Sequence, residues 1–259
     1  MGRNLEEAKS IGYAQENESL NYLYQVTSPL FILVHANDIM GIRAIITGAT
    51  GMVGEGVLHE CLKNDLVEAV LVINRKPCGV THSKLKEIIH PDFYDLSAIE
   101  ALLSGYNACY FCLGVSSVGI GKEAYFKLTH TLTLHVAGVL SKQNPDMTFC
   151  YISGAGTDST EKGSGWASVK GKTENDLMKL PFRAVYAFRP GFIKPIEGLS
   201  RTHPYYKYIT WLFPIGRAIY PAGFCTLREL AAAMIRVADN GYFKKIVDGK
   251  DIIKLGKEA

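Results

Sequence analysis

The segment T-G-A-T-G-M-V-G, from Thr47 to Gly54, has the residue types and spacing of a turn that binds phosphate. Gly48 permits a sharp turn, Gly51 lets the backbone approach a pyrophosphate, and Gly54 lets the next helix pack closely on the strand. The apolar run before the turn predicts a strand, and the residues after it predict a helix whose free N–H groups face the phosphates. We therefore predict a dinucleotide site in this turn, formed by Thr47, Gly48, Gly51, Met52, Val53 and Gly54.

The residues after the second predicted strand indicate which dinucleotide binds. An NAD(H) site usually has a carboxylate about twenty residues after the glycines, where it holds the ribose 2′-hydroxyl. Position 74 is Asn, and Arg75 and Lys76 follow it. A guanidinium beside an ammonium suits a 2′-phosphate. The sequence therefore predicts NADP(H), with NAD(H) as the less favoured cofactor; a pair of solvated charges at a strand end is the alternative.

Alternating strands and helices must position these residues. Apolar, β-branched runs predict strands that are buried on both faces, and the helical spacing between them predicts crossover helices. The fold class is therefore α/β, a doubly wound parallel sheet. The predicted strands are 43–47, 69–74, 86–89, 108–113, 148–153 and 184–189, and the predicted helices are 55–63, 96–103, 122–142, 166–180 and 227–239.

Five features in chain order resemble a known family. They are the glycine turn, F-C-L-G at 111–114, Ser153, Lys170 and R-P-G at 189–191. Together they resemble the short-chain dehydrogenase/reductase superfamily in its extended or atypical, epimerase-like branch, and within it the Tat-interacting oxidoreductase-like proteins. The resemblance covers about residues 40–255. It implies a Rossmann fold and an oxidoreductase or epimerase-like reaction on a small carbonyl or hydroxyl substrate whose identity stays open.

The resemblance also implies roles for single residues. Lys170 would hydrogen-bond the nicotinamide ribose, and Ser153 would face the substrate carbonyl. The helical Asn that often completes the proton relay in this superfamily is absent, and Thr129 is the nearest candidate. The other cofactor positions implied, from the adenine to the nicotinamide end, are Asp92, Phe93, Cys112, Leu113, Gly114, Pro190, Gly191 and Ile193.

Trp166 stands where the family has its catalytic Tyr, four residues before Lys170. That spacing places both side chains on one helix face. An indole N–H donates a hydrogen bond but does not serve as an acid at physiological pH. Three interpretations stay open: an enzyme with another acid, such as Tyr125; a protein that binds NADP(H) without redox chemistry and responds to it in interactions; and a scaffold without a ligand, which the intact glycine turn disfavours. The first is preferred.

Composition restricts partners and location. The 259 residues carry a formal net charge of +3, with no zinc-finger or basic-helix motif, so no nucleic-acid partner, metal site or transmembrane segment is predicted. The six cysteines, several in apolar runs, predict core packing in a reducing, cytoplasmic location. A small-molecule substrate is expected, in a monomer or a homodimer.

Three regions are predicted along the chain. Residues 1–39 are a polar extension, and Met40 is a candidate native start. Residues 40–191 form the dinucleotide-binding core, and 192–259 a small substrate lobe with a closing helix. The lobe is rich in aromatic residues up to position 224, which predicts a wall over the substrate end of the sheet. A membrane-surface role for this segment is the less favoured alternative.

Overall fold

The main sheet has seven parallel strands, and residues 41–201 and 210–258 are described in this computed structural model. In chain order the strands are β1 (Ile42–Thr47), β2 (Val67–Asn74), β3 (Leu85–Ile89), β4 (Ala108–Phe111), β5 (Thr148–Ile152), β6 (Ala184–Arg189) and β9 (Ile246–Asp248), and their spatial order is β3-β2-β1-β4-β5-β6-β9. The order reverses between β1 and β4. In an open parallel sheet, ligands bind at the carboxyl ends of the strands at such a reversal.

Helices cover both faces of the sheet, which confirms the predicted doubly wound α/β fold. Neighbouring residues of β1 face opposite sides: Ile45 belongs to one apolar core and Ile46 to the other. The helices in chain order are α1 (Met52–Lys63), α2 (Lys122–Phe126), α3 (Leu132–Gln143), α4 (Trp166–Leu177), α5 (Phe213–Ile219), α6 (Leu227–Asn240) and α7 (Gly249–Lys257). None of the described helices is both long and apolar enough to cross a membrane.

Three of the predicted helices differ clearly from the observed elements. The helix predicted for 96–103 is only a 3-10 turn, Glu100–Leu103, which is too short to show a helical period. The predicted helix 122–142 consists of α2 and α3 joined by a π-helical turn, Lys127–Thr131, in which the Leu132 N–H donates to the Lys127 carbonyl. Helix α4 ends at Leu177 rather than at residue 180.

The C-terminal region contributes to the core as well as to a separate small sheet. Strands β7 (Phe192–Lys194) and β8 (Phe224–Thr226) pair in parallel, whereas β9 joins β6 in the main sheet. Helix α6 packs against α1 so closely that a Cβ on Gly56 would lie 2.3 Å from the Leu227 side chain. The region after residue 191 therefore packs together with the dinucleotide-binding core.

The described aromatic residues of this region pack mainly on one another. Phe192, Phe213 and Phe224 form a cluster with ring centroids 5.6–6.2 Å apart. Arg217 lies beside the Phe213 ring and makes two hydrogen bonds to the Glu229 carboxylate. These contacts stabilise an internal cluster rather than a pocket wall. Tyr205, Tyr206 and Tyr208, also predicted to line the substrate end, lie outside the described residues.

One glycine fixes helix α4 against the loop that precedes it. A Cβ on Gly171 would lie 1.8 Å from the Asp158 carbonyl oxygen, well inside van der Waals contact. Gly138 in α3 faces open space, and a Cβ there would meet no heavy atom of the described chain within 4 Å. The two helical glycines therefore differ in the space around them and not in their secondary structure.

We predict opposite effects for alanine at these two glycines. Gly171→Ala should destabilise the fold by about 2–4 kcal/mol, because the backbone must move to relieve the overlap. Gly138→Ala should stabilise it by about 0.5–1 kcal/mol, because alanine favours the helix and restricts the unfolded chain. Urea denaturation measures both; equal effects would refute the close packing of α4.

Candidate cofactor cleft and active site

The glycine turn between β1 and α1 is held by close backbone contacts. Gly48 has φ +73°, a conformation that favours glycine, and a Cβ there would lie 2.8 Å from the Cys112 backbone. A Cβ on Gly54 would lie 2.2 Å from the Gly48 carbonyl oxygen. Helix α1 begins at Met52 after Gly51 without a side-chain cap. Its first N–H groups are therefore available to an anion.

A cleft of ≈ 170 Å³ lies at the carboxyl ends of β1, β2 and β4. It brings together residues from four separate chain segments. Predicted residues that line it are Gly48, Gly51, Arg75, Phe93, Cys112, Leu113 and Gly114. Thr50, Ile73, Asn74 and Val115 also line it and were missed by the sequence analysis. Ile73 and Asn74 end β2, and Thr50 and Val115 lie in the loops that follow β1 and β4. These positions were the available signal, because parallel strands end at one edge of the sheet.

The cleft fits a dinucleotide by its own features. A Cβ on Gly51 would be at least 3.5 Å from other atoms, and one on Gly114 would meet nothing within 4 Å, so the backbone is open to a ligand at both. Thr47, at the end of β1, is fully buried, and its hydroxyl has no hydrogen-bond partner among the described residues. An unpartnered buried hydroxyl is costly. Open glycine backbone beside such a group suits a bound phosphate.

The edge of the cleft at the end of β2 carries one exposed cation. Arg75 lines the cleft and forms no ion pair within residues 41–201 and 210–258. Asn74 also lines the cleft, and its amide donates to the Glu87 carboxylate at 3.1 Å. Glu87 also accepts the Cys78 N–H at 2.8 Å. This carboxylate on β3 was missed by the sequence analysis, because a strand register is needed to place it near position 74.

Several predicted cofactor residues lie outside the cleft lining. Asp92 accepts the Tyr94 N–H in its own turn, at 2.8 Å. The Pro190 carbonyl accepts the Ala155 N–H at 2.9 Å, and Gly191 lies close against the Gly223 backbone. Ile193 pairs with Cys225 in the small sheet. Lys76 is exposed beyond the cleft. Their predicted cofactor contacts stay predictions.

Ser153 follows β5 and is held by the loop after it. Its side chain is buried, and its Oγ lies 3.0 Å from the Thr157 hydroxyl. The Thr157 hydroxyl donates to the Gly154 carbonyl at 2.8 Å, which leaves the Ser153 hydroxyl as the donor between the two. Ser153 therefore has a fixed position in the loop at the end of the central strands.

Lys170 lies in helix α4 with its ammonium directed towards β5. Its Nζ donates to the Ile152 carbonyl at 3.1 Å and lies 5.3 Å from the centre of the Tyr151 ring. Burial lowers the pKa of Lys170 to about 8, although the nearby Glu174 carboxylate opposes this change. The Lys170 ammonium therefore lies against the carbonyl of the residue before Ser153, where it is poorly solvated.

Trp166 begins helix α4, one turn before Lys170, and is 38% exposed. Its indole lies against the loop after Ser153: a Cβ on Gly154 or Gly156 would come within 3.7 or 3.6 Å of the ring. The two glycines therefore make room for the large side chain. Trp166 is therefore the first residue of the predicted helix, lies against the loop after Ser153 and precedes Lys170 by one turn.

A second cavity of ≈ 320 Å³ lies beside Trp166. Tyr125 of α2 lines it and is only 4% exposed. Burial raises the pKa of the Tyr125 phenol, and the neighbouring Thr129 hydroxyl partly offsets this rise. The cavity therefore joins Trp166 to the tyrosine that the sequence analysis named as another acid. The full lining is Ser117, Ile120, Lys122, Tyr125, Gly163, Ser164, Gly165, Trp166, Ser168 and Val169.

The fold and the cleft define a dinucleotide-binding α/β protein. The sequence profile of the NAD dependent epimerase/dehydratase family matches residues 44–176, just over half of the chain. The chain belongs to that family. Its fold is similar to that of the enzyme WbmF from Bordetella bronchiseptica, solved in complex with NAD⁺, with a TM-score of 0.58, 16% identity, and coverage of 85% of this chain and 78% of that one.

Two relatives show the level of sequence similarity. Protein HTATIP2 of Rattus norvegicus is 26% identical over 165 residues, which cover 60% of this chain and 67% of that protein. Protein FMP52, described as mitochondrial, of Meyerozyma guilliermondii is 25% identical over 155 residues, which cover 58% of this chain and 65% of the fungal protein, just under two thirds of its length. The predicted membership of an atypical short-chain dehydrogenase/reductase group is confirmed.

The prediction of a cytoplasmic location is wrong by these comparisons. Five of the fungal relatives, including that of Meyerozyma guilliermondii, are described as mitochondrial proteins. The prediction rested on cysteine usage, and all six cysteines are indeed free. Free thiols argue only against an oxidising compartment, so they do not distinguish the cytoplasm from other reducing compartments.

We predict that the buried Lys170 makes the free energy of unfolding increase as the pH rises from about 8 to about 10.5. Between about pH 8 and pH 10.5 the unfolded chain binds a proton that folded Lys170 does not, so its contribution to the free energy of unfolding rises with pH. Lys170→Met should be more stable than wild type at pH 7 by about 1–3 kcal/mol. The difference should shrink towards pH 10.5.

Denaturation at a series of pH values measures this difference. Lys142→Met, at the exposed end of α3, is the matched control and should track wild type throughout. Lys170→Met should nevertheless bind NADPH about tenfold or more weakly if the ammonium contacts the ribose. A difference between wild type and Lys170→Met that does not vary with pH would contradict the lowered pKa.

Proposed function

We propose that this protein is an NADP(H)-dependent oxidoreductase or epimerase-like enzyme whose proton donor is Tyr125 rather than the residue at position 166. The observation that carries the proposal is that Tyr125 and Trp166 line one cavity, from two different helices. The substrate would be a small carbonyl or hydroxyl compound. A mitochondrial setting is part of the proposal, supported by the descriptions of the fungal relatives.

The environment of Tyr125 keeps its phenol protonated. Burial disfavours the phenolate, so the hydroxyl stays protonated at neutral pH. We therefore propose that the phenol donates to the substrate oxygen that gains negative charge during carbonyl reduction. Complete transfer of the proton leaves the phenolate that burial opposes, so water must return a proton to Tyr125 before the next turnover.

The cofactor supplies the hydride in this proposal, and the chain supplies its binding and orientation. The first N–H groups of α1 would hold the pyrophosphate, as expected for the turn at 48–54. Arg75, open to the cleft, would hold a 2′-phosphate, and Lys170 would bind the nicotinamide ribose. Ser153, fixed by Thr157, would position the reacting carbonyl of the substrate.

A second function is supported by one observation. Neither Ser153 nor Lys170 lines the cavity beside Trp166, and both already have hydrogen-bond partners in the protein. A protein that binds NADP(H) and responds to it in interactions, without redox chemistry, would need nothing more of them. In that case the Trp166 indole occupies the position of a catalytic acid that the protein does not need.

We predict that NADPH binds more tightly than NADH and that Arg75 causes the preference. Arg75→Gln should weaken NADPH binding about 10–100-fold, because a charge-assisted hydrogen bond to the 2′-phosphate is lost, while NADH binding changes little. Lys76→Gln is the matched control and should have a smaller effect, because Lys76 lies outside the cleft lining. Calorimetric titration with both cofactors tests this. NADH binding as tightly as NADPH would refute the preference.

Substitutions at two positions, 125 and 166, separate the proposed functions. If Tyr125 is the proton donor, Tyr125→Phe should slow NADPH-dependent reduction of a panel of small carbonyl compounds about 10²–10⁴-fold without weakening NADPH binding. Trp166→Phe should retain most of the activity. If the wild type shows no reduction of these carbonyl compounds and the Trp166→Tyr variant does, the result would instead support the non-catalytic function.

A further inference from the structure

The cavity beside Trp166 is lined by hydrogen-bond donors and by no carboxylate from the described residues. Six lining side chains carry N–H or O–H groups: Ser117, Lys122, Tyr125, Ser164, Trp166 and Ser168. Hydroxyls can also accept, but an ammonium only donates. A pocket with one cation and no acid favours a ligand that brings negative charge.

The start of helix α4 adds an uncompensated positive dipole end to this cavity. Gly165, the residue before the helix, has φ +77° and ψ −151°, a conformation that is essentially restricted to glycine. It provides no side-chain cap, and no acidic residue lies in the first turn. The N–H groups at the start of this twelve-residue helix therefore have no side-chain acceptor in the described part of the chain.

The two acids of this loop are already held by other groups: the Glu161 carboxylate accepts the Asn175 amide at 2.7 Å and lies 3.8 Å from the Lys172 ammonium. Asp158 accepts the Gly163 N–H at 2.8 Å and both the N–H and the hydroxyl of Thr160, at 2.9 and 2.7 Å. These bonds lower the pKa of the Asp158 carboxyl and keep it in its own turn. It lines neither cavity and does not neutralise the start of α4.

Two side chains of α2 complete the arrangement independently of α4. Tyr125 is more than nine-tenths buried, yet it lines the cavity, and the Thr129 hydroxyl lies beside its own. Lys122 lies one turn earlier on the same helix face and forms no ion pair or hydrogen bond among the residues that the structure describes. Lys127, by contrast, pairs with Glu123 at 3.6 Å.

We infer that this cavity binds the oxyanion of a small substrate, a carboxylate or a phosphate ester, between Lys122 and the start of α4. The inference rests on the proposed function and specifies its substrate class. Helical residues three apart have Cβ atoms about 5–6 Å from each other, so Lys122 and Tyr125 would hold the anion and the reacting oxygen close together. The volume of ≈ 320 Å³ is at the low end for ligand pockets. Small oxo acids and short sugar phosphates carry such an oxyanion beside a reacting oxygen and are small enough for this volume.

Calorimetry on the full chain loaded with NADPH tests the inference. The probes are acetate for the carboxylate and orthophosphate for the phosphate ester, with neutral acetamide as the control ligand. At least one anion should bind, and acetamide should not. The anion that binds more tightly identifies the substrate class. Neither anion binding, or acetamide binding as well as acetate, would overturn the inference.

Charge substitutions locate the anion. Lys122→Gln should weaken anion binding about tenfold or more, because a charge-assisted contact is lost, and Lys122→Arg should restore it to within about threefold. Lys142→Gln removes the same charge at the far end of α3 and should leave binding unchanged. Equal binding by wild type and Lys122→Gln would place the anion elsewhere.

Ser168→Asp separates binding from folding. An aspartate in the first turn of α4 interacts favourably with the helix dipole, so the thermal midpoint should be unchanged or higher. The same carboxylate would repel the anion, so acetate and orthophosphate binding should fall at least about tenfold. Retained anion binding would contradict the site.

The two proposals can fail separately. NADPH binding without anion binding would remove the substrate class and leave the proposed function standing. Anion binding in a chain that binds neither NADPH nor NADH would retain the oxyanion site and remove the NADP(H)-dependent function. A stable Ser168→Asp variant guards against the interpretation that lost binding reflects lost folding.

Discussion

The close approach of three backbone segments at the glycine turn is the constraint on which the site depends. Gly48 lies against the residue that follows β4, and Gly54 lies against Gly48, so β1, β4 and α1 meet without intervening side chains. This contact lies where the strand order reverses. It opens the cleft at the carboxyl ends of the central strands and directs the first N–H groups of α1 into it. A side chain at either glycine would separate these segments.

The sequence predicts the parts of the fold that local chemistry specifies. The strand 184–189 is predicted with the observed bounds, and the glycine turn lies between a strand and a helix as expected. Strand β9 is missed because three residues do not establish a period, and the sheet partner that defines it lies far away in sequence. The 3-10 turn at 100–103 shows the same limit. Tertiary pairing decides such short elements.

The candidate site likewise contains residues that the local sequence predicts and residues that only tertiary pairing brings together. Gly48 and Arg75 line the cleft, because each directly follows a predicted strand. Phe93 and Cys112, which the family resemblance implies, line it as well. Glu87 beside Asn74 could not be foreseen, since their proximity depends on the pairing of β2 with β3. Phe192, Phe213 and Phe224 pack on each other, whereas Trp211 and Tyr220 are largely exposed. Composition alone does not distinguish a pocket wall from an internal cluster or an exposed side chain.

Helix α4 explains how position 166 can change while the rest of the site stays in place. Trp166, Lys170 and Glu174 are spaced four residues apart on one face of the helix, but each is held by different contacts. Glu174 is fully buried and pairs with Arg189 at the end of β6, with an Arg189 Nε to Oε1 distance of 3.0 Å. A buried carboxylate of this kind is costly to leave unpaired, which fixes the helix to the sheet. Lys170 is held by the Ile152 carbonyl, and the turn after Leu177 ends the helix independently of its start.

The indole of Trp166 therefore rests on a helix whose position is set two turns away. Its close contact is with the loop after Ser153, where Gly154 and Gly156 leave space for the ring. A phenol at this position would leave part of that space unfilled, because it is the smaller side chain. The two loop glycines and the indole therefore pack together. The proposed proton donor, Tyr125, lies on a different helix, α2, so the packing at position 166 is independent of the helix that carries the proposed acid.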